Sequence, residues 1–225
     1  MTMAIKHIKG NIFSSKCQTL VNTVNCMGVM GKGIALVHKL RYPEMYLEYR
    51  EHCRNKLIKI GSLWLYTKKE NAPWILSFPT KFHWKYPSKI EWIEQGLQKF
   101  VETYDKKGIN SIAFPLLGTH NGGLETNVVK ELMERYLSKC SIDIEIYDYD
   151  PNATDDLFAS FKIKWLSLDE MTIKAETGIQ PQYAKKISDI IQNGEINSMI
   201  ALANYHGIGE KTLEKAFNYV LNSPK

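Results

Sequence analysis

Val21-Asn22-Thr23-Val24-Asn25-Cys26-Met27-Gly28-Val29-Met30-Gly31-Lys32-Gly33-Ile34-Ala35 is the stretch from which the rest of the chain can be read. A strand-like run meets three closely spaced glycines, and a helical pattern of apolar residues begins at Ile34. A strand that feeds a glycine turn and then a helix presents backbone N–H groups to an anion. Two familiar phosphate loops do not fit. A P-loop needs Gly-Lys followed by Ser or Thr, and here Gly33 follows Lys32. A dinucleotide fingerprint needs GxGxxG, and the spacing here is GxxGxG. The plain alternative is a helix start made of small residues. A second segment, Ile112-Ala113-Phe114-Pro115-Leu116-Leu117-Gly118-Thr119-His120-Asn121-Gly122-Gly123-Leu124, repeats strand, glycine turn and helix. Two such loops can close on one diphosphate at the carboxyl edge of an α/β sheet.

Working outward, Ala4–Lys9, Gln18–Asn22, Ser62–Lys68, Trp74–Phe78, Ser111–Pro115 and Asp143–Tyr149 read as strands. Ile34–Arg41, Pro43–Arg54, Ser88–Lys107 and Thr126–Lys139 carry apolar residues at helical spacing, with helix-start chemistry at Pro43 and Pro87-Ser88. Strands alternating with helices predict an α/β fold, a three-layer α/β/α sandwich around a mostly parallel or mixed sheet. The polar, turn-forming run Asp150-Pro151-Asn152-Ala153-Thr154-Asp155-Asp156 marks a boundary. The expected domains are therefore 1–155 and 156–225. The second is small and all-α, with helices over Gln182–Gln192, Glu195–Tyr205 and Lys211–Val220.

Composition limits the function classes. The 225 residues are 44% apolar and 24% charged, which excludes a disordered or collagen-like chain. Twenty-nine Lys and Arg against 24 Asp and Glu give +5, which permits a polyanionic partner without demanding one. Cys17, Cys26, Cys53 and Cys140 are scattered with no CxxC pair, and the six histidines show no zinc spacing. Reduced thiols, no leader-like apolar run at Met1-Thr2-Met3-Ala4 and no long apolar span lead to the expectation of a cytoplasmic protein without membrane contact, metal or cofactor.

These residues resemble the macrodomain family, an ADP-ribose-binding α/β/α fold, over roughly residues 4–150. Gly10-Asn11-Ile12 stands where the family has Gly-Asp-Ile, whose acidic residue holds the adenine amino group; an amide oxygen on Asn11 could accept the same bond. Val21-Asn22-Thr23-Val24-Asn25 resembles the family's VNxxN. The stretches Gly28-Val29-Met30-Gly31-Lys32-Gly33 and Gly118–Gly123 resemble its phosphate and distal-ribose loops. The ADP-ribose contacts that the resemblance implies are Asn11, Ile12, Asn22, Gly28, Val29, Met30, Gly31, Lys32, Gly33 and Ile34, then Pro79 and Thr80, then Gly118, Thr119, His120, Asn121, Gly122, Gly123 and Leu124. Phe78-Pro79-Thr80-Lys81-Phe82-His83-Trp84-Lys85 resembles the DarG type, antitoxins that remove ADP-ribose from thymidine in DNA. That resemblance makes Lys81 catalytic. It also implies ADP-ribosylated single-stranded DNA as substrate and a DarT-type toxin as partner. The protein-acting glycohydrolases of the family use an aspartate in the second glycine loop; Gly122 or a neighbour stands there here.

The chemistry leaves two routes for Lys81. Its ammonium could stabilise or protonate the leaving thymine, or its neutral amine could attack the anomeric carbon and form a transient adduct. The second route needs a lowered pKa, to which Lys32, Lys85 and His83 could contribute. The alternative for Lys81 is an ordinary solvated lysine. Asn25, at a strand end, is expected to hold the distal ribose hydroxyls as the second catalytic residue. His83, Trp84 and Lys85 interleave cations with aromatics as a single-stranded DNA surface does, against the alternative that Trp84 seals the core. Ile200–Leu213 resembles a helix–hairpin–helix, with Gly207-Ile208-Gly209 as the hairpin. The region after residue 158 carries eight Lys against seven Asp and Glu, so DNA contact and protein contact stay equally open. The leading function is a DNA ADP-ribosyl glycohydrolase. The alternatives are a non-catalytic ADP-ribose reader and a hydrolase of ADP-ribose 1″-phosphate or of ADP-ribosylated protein.

Overall fold

The structure is a computed structural model and describes residues 5–68, 70 and 72–222. Six strands form one sheet in the spatial order β1-β6-β5-β2-β4-β3. They are β1 (Ile5–Gly10), β2 (Thr19–Asn25), β3 (Trp64–Tyr66), β4 (Trp74–Lys81), β5 (Ser111–Pro115) and β6 (Asp143–Tyr149). All neighbours pair in parallel except β3, which runs antiparallel on the edge beside β4. The sheet is therefore mixed, as expected. Ala4, the expected start of β1, lies outside the described residues.

Side chains alternate between two cores. Val21, Leu76, Phe78, Ile112, Phe114, Ile144 and Ile146 face α3 (Ile90–Thr103) and α4 (Thr126–Leu137). Leu20, Val24, Ile75 and Ala113 face the opposite layer, where α1 (Gly33–Arg41) and α2 (Pro43–Arg54) lie. Cover on both faces is why β4 and β5 carry successive apolar residues, Trp74-Ile75-Leu76 and Ile112-Ala113-Phe114, the habit of parallel strands. Gly96 of α3 lets that helix approach the sheet, because a Cβ there would stand 2.2 Å from the Phe78 ring.

Several boundaries differ from those predicted. β2 runs on to Asn25 and β4 to Lys81, whereas the sequence pattern ends them at Asn22 and Phe78. Ladder pairing carries both past the last periodic apolar residue, and Asn25 is the register partner of Lys81 across a bulge. β3 keeps only three residues of the expected seven. The predicted helix start at Ser88 falls instead at Ile90, because the Ser88 N–H donates to the Gly122 carbonyl at 2.9 Å.

After Tyr149 the described residues form five helices and no strand: α5 (Phe158–Leu166), α6 (Glu170–Thr177), α7 (Pro181–Gln192), α8 (Met199–Asn204) and α9 (Glu210–Asn222). The first two are absent from the sequence reading, although Phe158, Phe161 and Trp165 mark one buried face of α5. α6 carries readable ends: Asp169 accepts from the Thr172 N–H at 2.7 Å, and Gly178 takes the left-handed conformation. α8 and α9 pack against α1. Leu202, Ala203, Ile208, Leu213 and Phe217 join Leu36, Val37 and Leu40 in one apolar core, and Lys39 pairs with Glu210. Within that layer His38 is fully buried beside Phe13 and Tyr42, and desolvation pushes its pKa down to about 3.

Candidate functional site

The site gathers at the carboxyl ends of β1, β2, β4 and β5. Asn25 closes β2, and its side chain turns onto the glycine loop that follows. Nδ2 donates to the Val29 carbonyl at 2.6 Å, while Oδ1 accepts from the N–H groups of Met27 at 2.9 Å and Val29 at 3.4 Å. Tyr49, fully buried on α2, donates its hydroxyl to the Asn25 carbonyl at 2.5 Å. The Asn25 amide thus shapes the first loop. Asn22 lies wholly buried below, its Nδ2 3.7 Å from the sulfur of Met30. Met30 is buried too, whereas Val29, Gly31 and Lys32 are exposed and Gly33 and Ile34 half-buried.

The second loop is held by main chain. The Thr119 carbonyl accepts from the N–H groups of Gly122 at 2.9 Å and Gly123 at 2.5 Å, and the Gly118 carbonyl accepts from Leu124 at 3.0 Å. Gly118 and Gly123 sit at positive φ, where a Cβ is strained. Gly118, Thr119 and Gly122 are buried; His120, Asn121 and Gly123 are exposed. His120 meets Tyr149 edge to face, with ring centroids 6.2 Å apart.

Lys81 ends β4 between the two loops, an ordered strand end where the sequence reading has a loop. Its Nζ donates to the Asn121 carbonyl at 2.5 Å. Partial burial holds its pKa below the ordinary lysine value, and desolvation is the whole cause. Lys32, Lys85 and His83, the expected contributors, supply none of that shift. The preceding Pro79 and Thr80 are buried. Beyond Lys81 the Phe82 carbonyl accepts from the Cys26 N–H at 3.1 Å, which seats this segment against the first glycine loop.

The run after Lys81 faces outward. Phe82, Trp84 and Tyr86 are all exposed, so the alternative that Trp84 seals the core fails. Trp84 stacks on His83 at 5.5 Å, and the Lys85 ammonium lies 5.2 Å from the Trp84 ring centroid. At the far end of the cleft Asn11 is buried. Its Oδ1 accepts from the Phe13 N–H at 3.2 Å, and Nδ2 has no partner among the described residues. One bond to Oδ1 leaves that oxygen a second lone pair. Ile12 beside it is buried in the core.

Sequence reasoning misses Tyr49, Ser88 and Asn204. Tyr49 sits in an otherwise ordinary amphipathic helix, and Ser88 looks like a cap. Asn204, in the last turn of α8, accepts from the Gly33 N–H at 3.3 Å across 171 positions of sequence.

A strand-loop-helix pair of this kind, with a lysine between, has counterparts among known proteins. The family model described as the Macro domain matches residues 21–133. The chain belongs to the macrodomain family. A DNA ADP-ribosyl transferase-DNA ADP-ribosyl glycohydrolase fusion protein from Thermosipho africanus is 39% identical over 164 residues, 65% of this chain and 42% of the relative. A solved structure of Thermosipho africanus DarTG in complex with ADP-ribose matches with 42% identity and a TM-score of 0.61, covering 64% of this chain and 41% of that one. The macrodomain of Thermus aquaticus DarG matches with 36% identity and a TM-score of 0.62, over 64% of this chain and 98% of that one. This macrodomain chain spans about two-fifths of the length of the curated relatives it matches. Among the described residues no helix is long and apolar enough to cross a membrane.

Proposed function

We propose that this chain is a DNA ADP-ribosyl glycohydrolase that releases ADP-ribose from thymidine in single-stranded DNA and so reverses a DarT-type toxin. The observation that carries the reading is Lys81: a partly desolvated amine on the second glycine loop, in register with the residue that shapes the first. The likeness to DarG macrodomains, and to a relative solved with ADP-ribose, supports the ligand and the bond cleaved. The fused transferase of the Thermosipho relative supports a DarT-type partner.

In this reading the two loops hold the diphosphate through backbone N–H groups of Gly31, Lys32 and Ile34 and of Thr119, His120 and Asn121. Gly28, Val29, Met30 and Lys32 form the first loop's wall, Pro79 and Thr80 the floor, and Gly118 and Leu124 the hinges of the second. Asn11 accepts from the adenine amino group through its amide oxygen, and Asn22 supports the first loop from below. Breaking the glycosidic bond leaves positive charge on the anomeric carbon and negative charge on thymine. Lys81, its Nζ held on the Asn121 carbonyl, acts as an ammonium that stabilises and protonates the leaving base, while water adds to the anomeric carbon and returns a proton to the amine. Asn25 acts through the loop it shapes. His83, Trp84 and Lys85 take the flanking DNA by stacking and phosphate contact. Residues 1–155 form the ADP-ribose-binding domain and 156–225 a helical appendage, in a cytoplasmic protein.

The test is turnover of an ADP-ribosylated thymidine oligonucleotide beside glutamate-linked ADP-ribose and ADP-ribose 1″-phosphate. Release from the oligonucleotide alone is the expected outcome. Tight ADP-ribose binding with no release from any substrate would make the chain a reader, and preference for either other substrate would replace DNA.

A further inference from the structure

The Gly33 N–H stands at the start of α1, on the loop assigned above to the diphosphate. Lys32, the residue in capping position, offers no side-chain bond to the helix. The cap comes from Asn204, whose Oδ1 accepts from Gly33 at 3.3 Å while its Nδ2 donates to the Ile200 carbonyl at 2.8 Å. On its other side Gly33 faces the second loop: at φ +58 a Cβ would lie 2.8 Å from Nδ2 of Asn121. Asn121 is also the residue whose carbonyl receives Lys81.

Asn204 does not reach this point by accident of a loose surface helix. The Met199 N–H at the start of α8 donates to Oδ2 of buried Asp155 at 2.6 Å, and Oδ1 of the same carboxylate accepts from Leu157 and Phe158. Asp155 and Asp156 both face Arg41 of α1, at 3.6 and 2.8 Å. Ser198 caps α8 through the Ala201 N–H at 3.1 Å. Asn197 donates to the Asn152 carbonyl at 2.6 Å. Buried Ile200, Leu202 and Ala203 seat the helix in the core that it shares with α1.

We propose that the C-terminal helical unit completes the diphosphate site, with Asn204 as a positioning residue that fixes the Gly33 amide and sets the charge at the mouth of α1. This rests on the ADP-ribose reading of the glycine loops and adds to it a part that lies outside residues 21–133 of the family match. A neutral acceptor suits the task. It satisfies one exposed amide of the first turn without bringing a negative charge against two phosphates, and leaves the neighbouring amides for the ligand.

The amide and the carboxylate then separate the two roles that Asn204 could have. Asp accepts at a helix N-terminus as well as Asn, and Asp and Ala alike lose the donated bond to Ile200, so a purely structural cap suffers no more from Asn204→Asp than from Asn204→Ala. A diphosphate neighbour suffers more from Asp. Isothermal titration of the full chain with ADP-ribose is expected to show Asn204→Asp weakened by roughly tenfold or more, the size of an unfavourable charge contact. Asn204→Ala should weaken by about threefold, as for one lost hydrogen bond. Melting temperature should fall no further for the Asp variant than for the Ala variant, and turnover should show the loss in KM with kcat held. Gln192→Glu, exposed on α7, adds the same charge elsewhere on the unit and should leave affinity alone. If the parent binds ADP-ribose while both Asn204 variants bind within about twofold of it, or if Gln192→Glu weakens binding as much as Asn204→Asp, the inference is overturned. If the parent itself does not bind ADP-ribose, the reading beneath falls first and takes the inference with it.

Discussion

The two glycine loops share a sequence pattern and differ in what holds them. The first is braced by side chains: Asn25 ties Met27 and Val29, and Tyr49 ties Asn25. The second is braced by main chain, with Thr119 and Gly118 carbonyls closing the turn and the Ser88 amide holding Gly122. A substitution can delete the braces of the first loop. In the second, the Thr119 hydroxyl on the Leu116 carbonyl at 3.1 Å and the Lys81 ammonium on the Asn121 carbonyl only supplement a turn of peptide bonds whose conformation depends on glycine, so substitution there mostly crowds it. Lys81 touches the second loop directly and the first through register, so it belongs to both.

The largest effect should come from cutting that link. Lys81→Ala is expected to lower kcat for ADP-ribosylated DNA by roughly a hundredfold or more, the usual worth of a positioned proton donor, with ADP-ribose affinity nearly kept. The pH profile of the parent carries the sign. Its pKa lies below the ordinary lysine value, and an ammonium donor is lost as pH rises through that pKa, so kcat should fall toward alkaline pH. A rate that climbs with pH, with a borohydride-trapped adduct on Lys81, would hand the step to the neutral amine instead. Gly118→Ala comes next. Its φ of +69 and neighbours at 2.9 to 3.1 Å (Leu124, Ile93 and Ser88) leave no space for a methyl group. A loss of about 2 kcal/mol is expected from strain and overpacking, visible in chemical denaturation alongside weaker ADP-ribose binding. Tyr49→Phe is the mildest cut. It removes one buried bond to the Asn25 carbonyl at a cost of about 1 kcal/mol, which in a chain of this size moves Tm by roughly 2–4 °C. If Tyr49→Phe damaged binding more than Gly118→Ala, the contrast between the loops would be the wrong way round.

Much of this architecture is legible in the amino-acid sequence. Period and turn chemistry identify all six strands and the four helices through Leu137, because those elements are amphipathic or doubly buried and local pattern reports burial. The ends of β2 and β4 are not legible, since ladder pairing with a neighbour extends them through Asn25 and Lys81, whose side chains have no periodic signal. Asn25 can be read as important but not as loop-forming, because the sequence does not say which way an amide turns at a strand end. Lys81 stands out through family resemblance alone; a lysine at a strand end carries no mark of desolvation. Asn204 has no signal, since its partner lies 171 positions away. Trp84 shows the reverse case, where chemistry suggests two environments and exposure chooses one.

Gly96 has a consequence for how such chains diverge. Its Cα and the Phe78 ring share a space that cannot also hold a methyl group. The two positions therefore form a compensating pair on α3 and β4, a few residues from Ser88 and Lys81 respectively. A descendant that gains any side chain at 96 must trim the ring at 78 or move the helix, and moving the helix would carry away the Ser88 amide that holds the second loop. A smaller residue at 78 loses packing in a fully buried position yet clashes with nothing, whereas a side chain at 96 has no room until the ring has shrunk, so the order of the two changes turns on a single hydrogen atom.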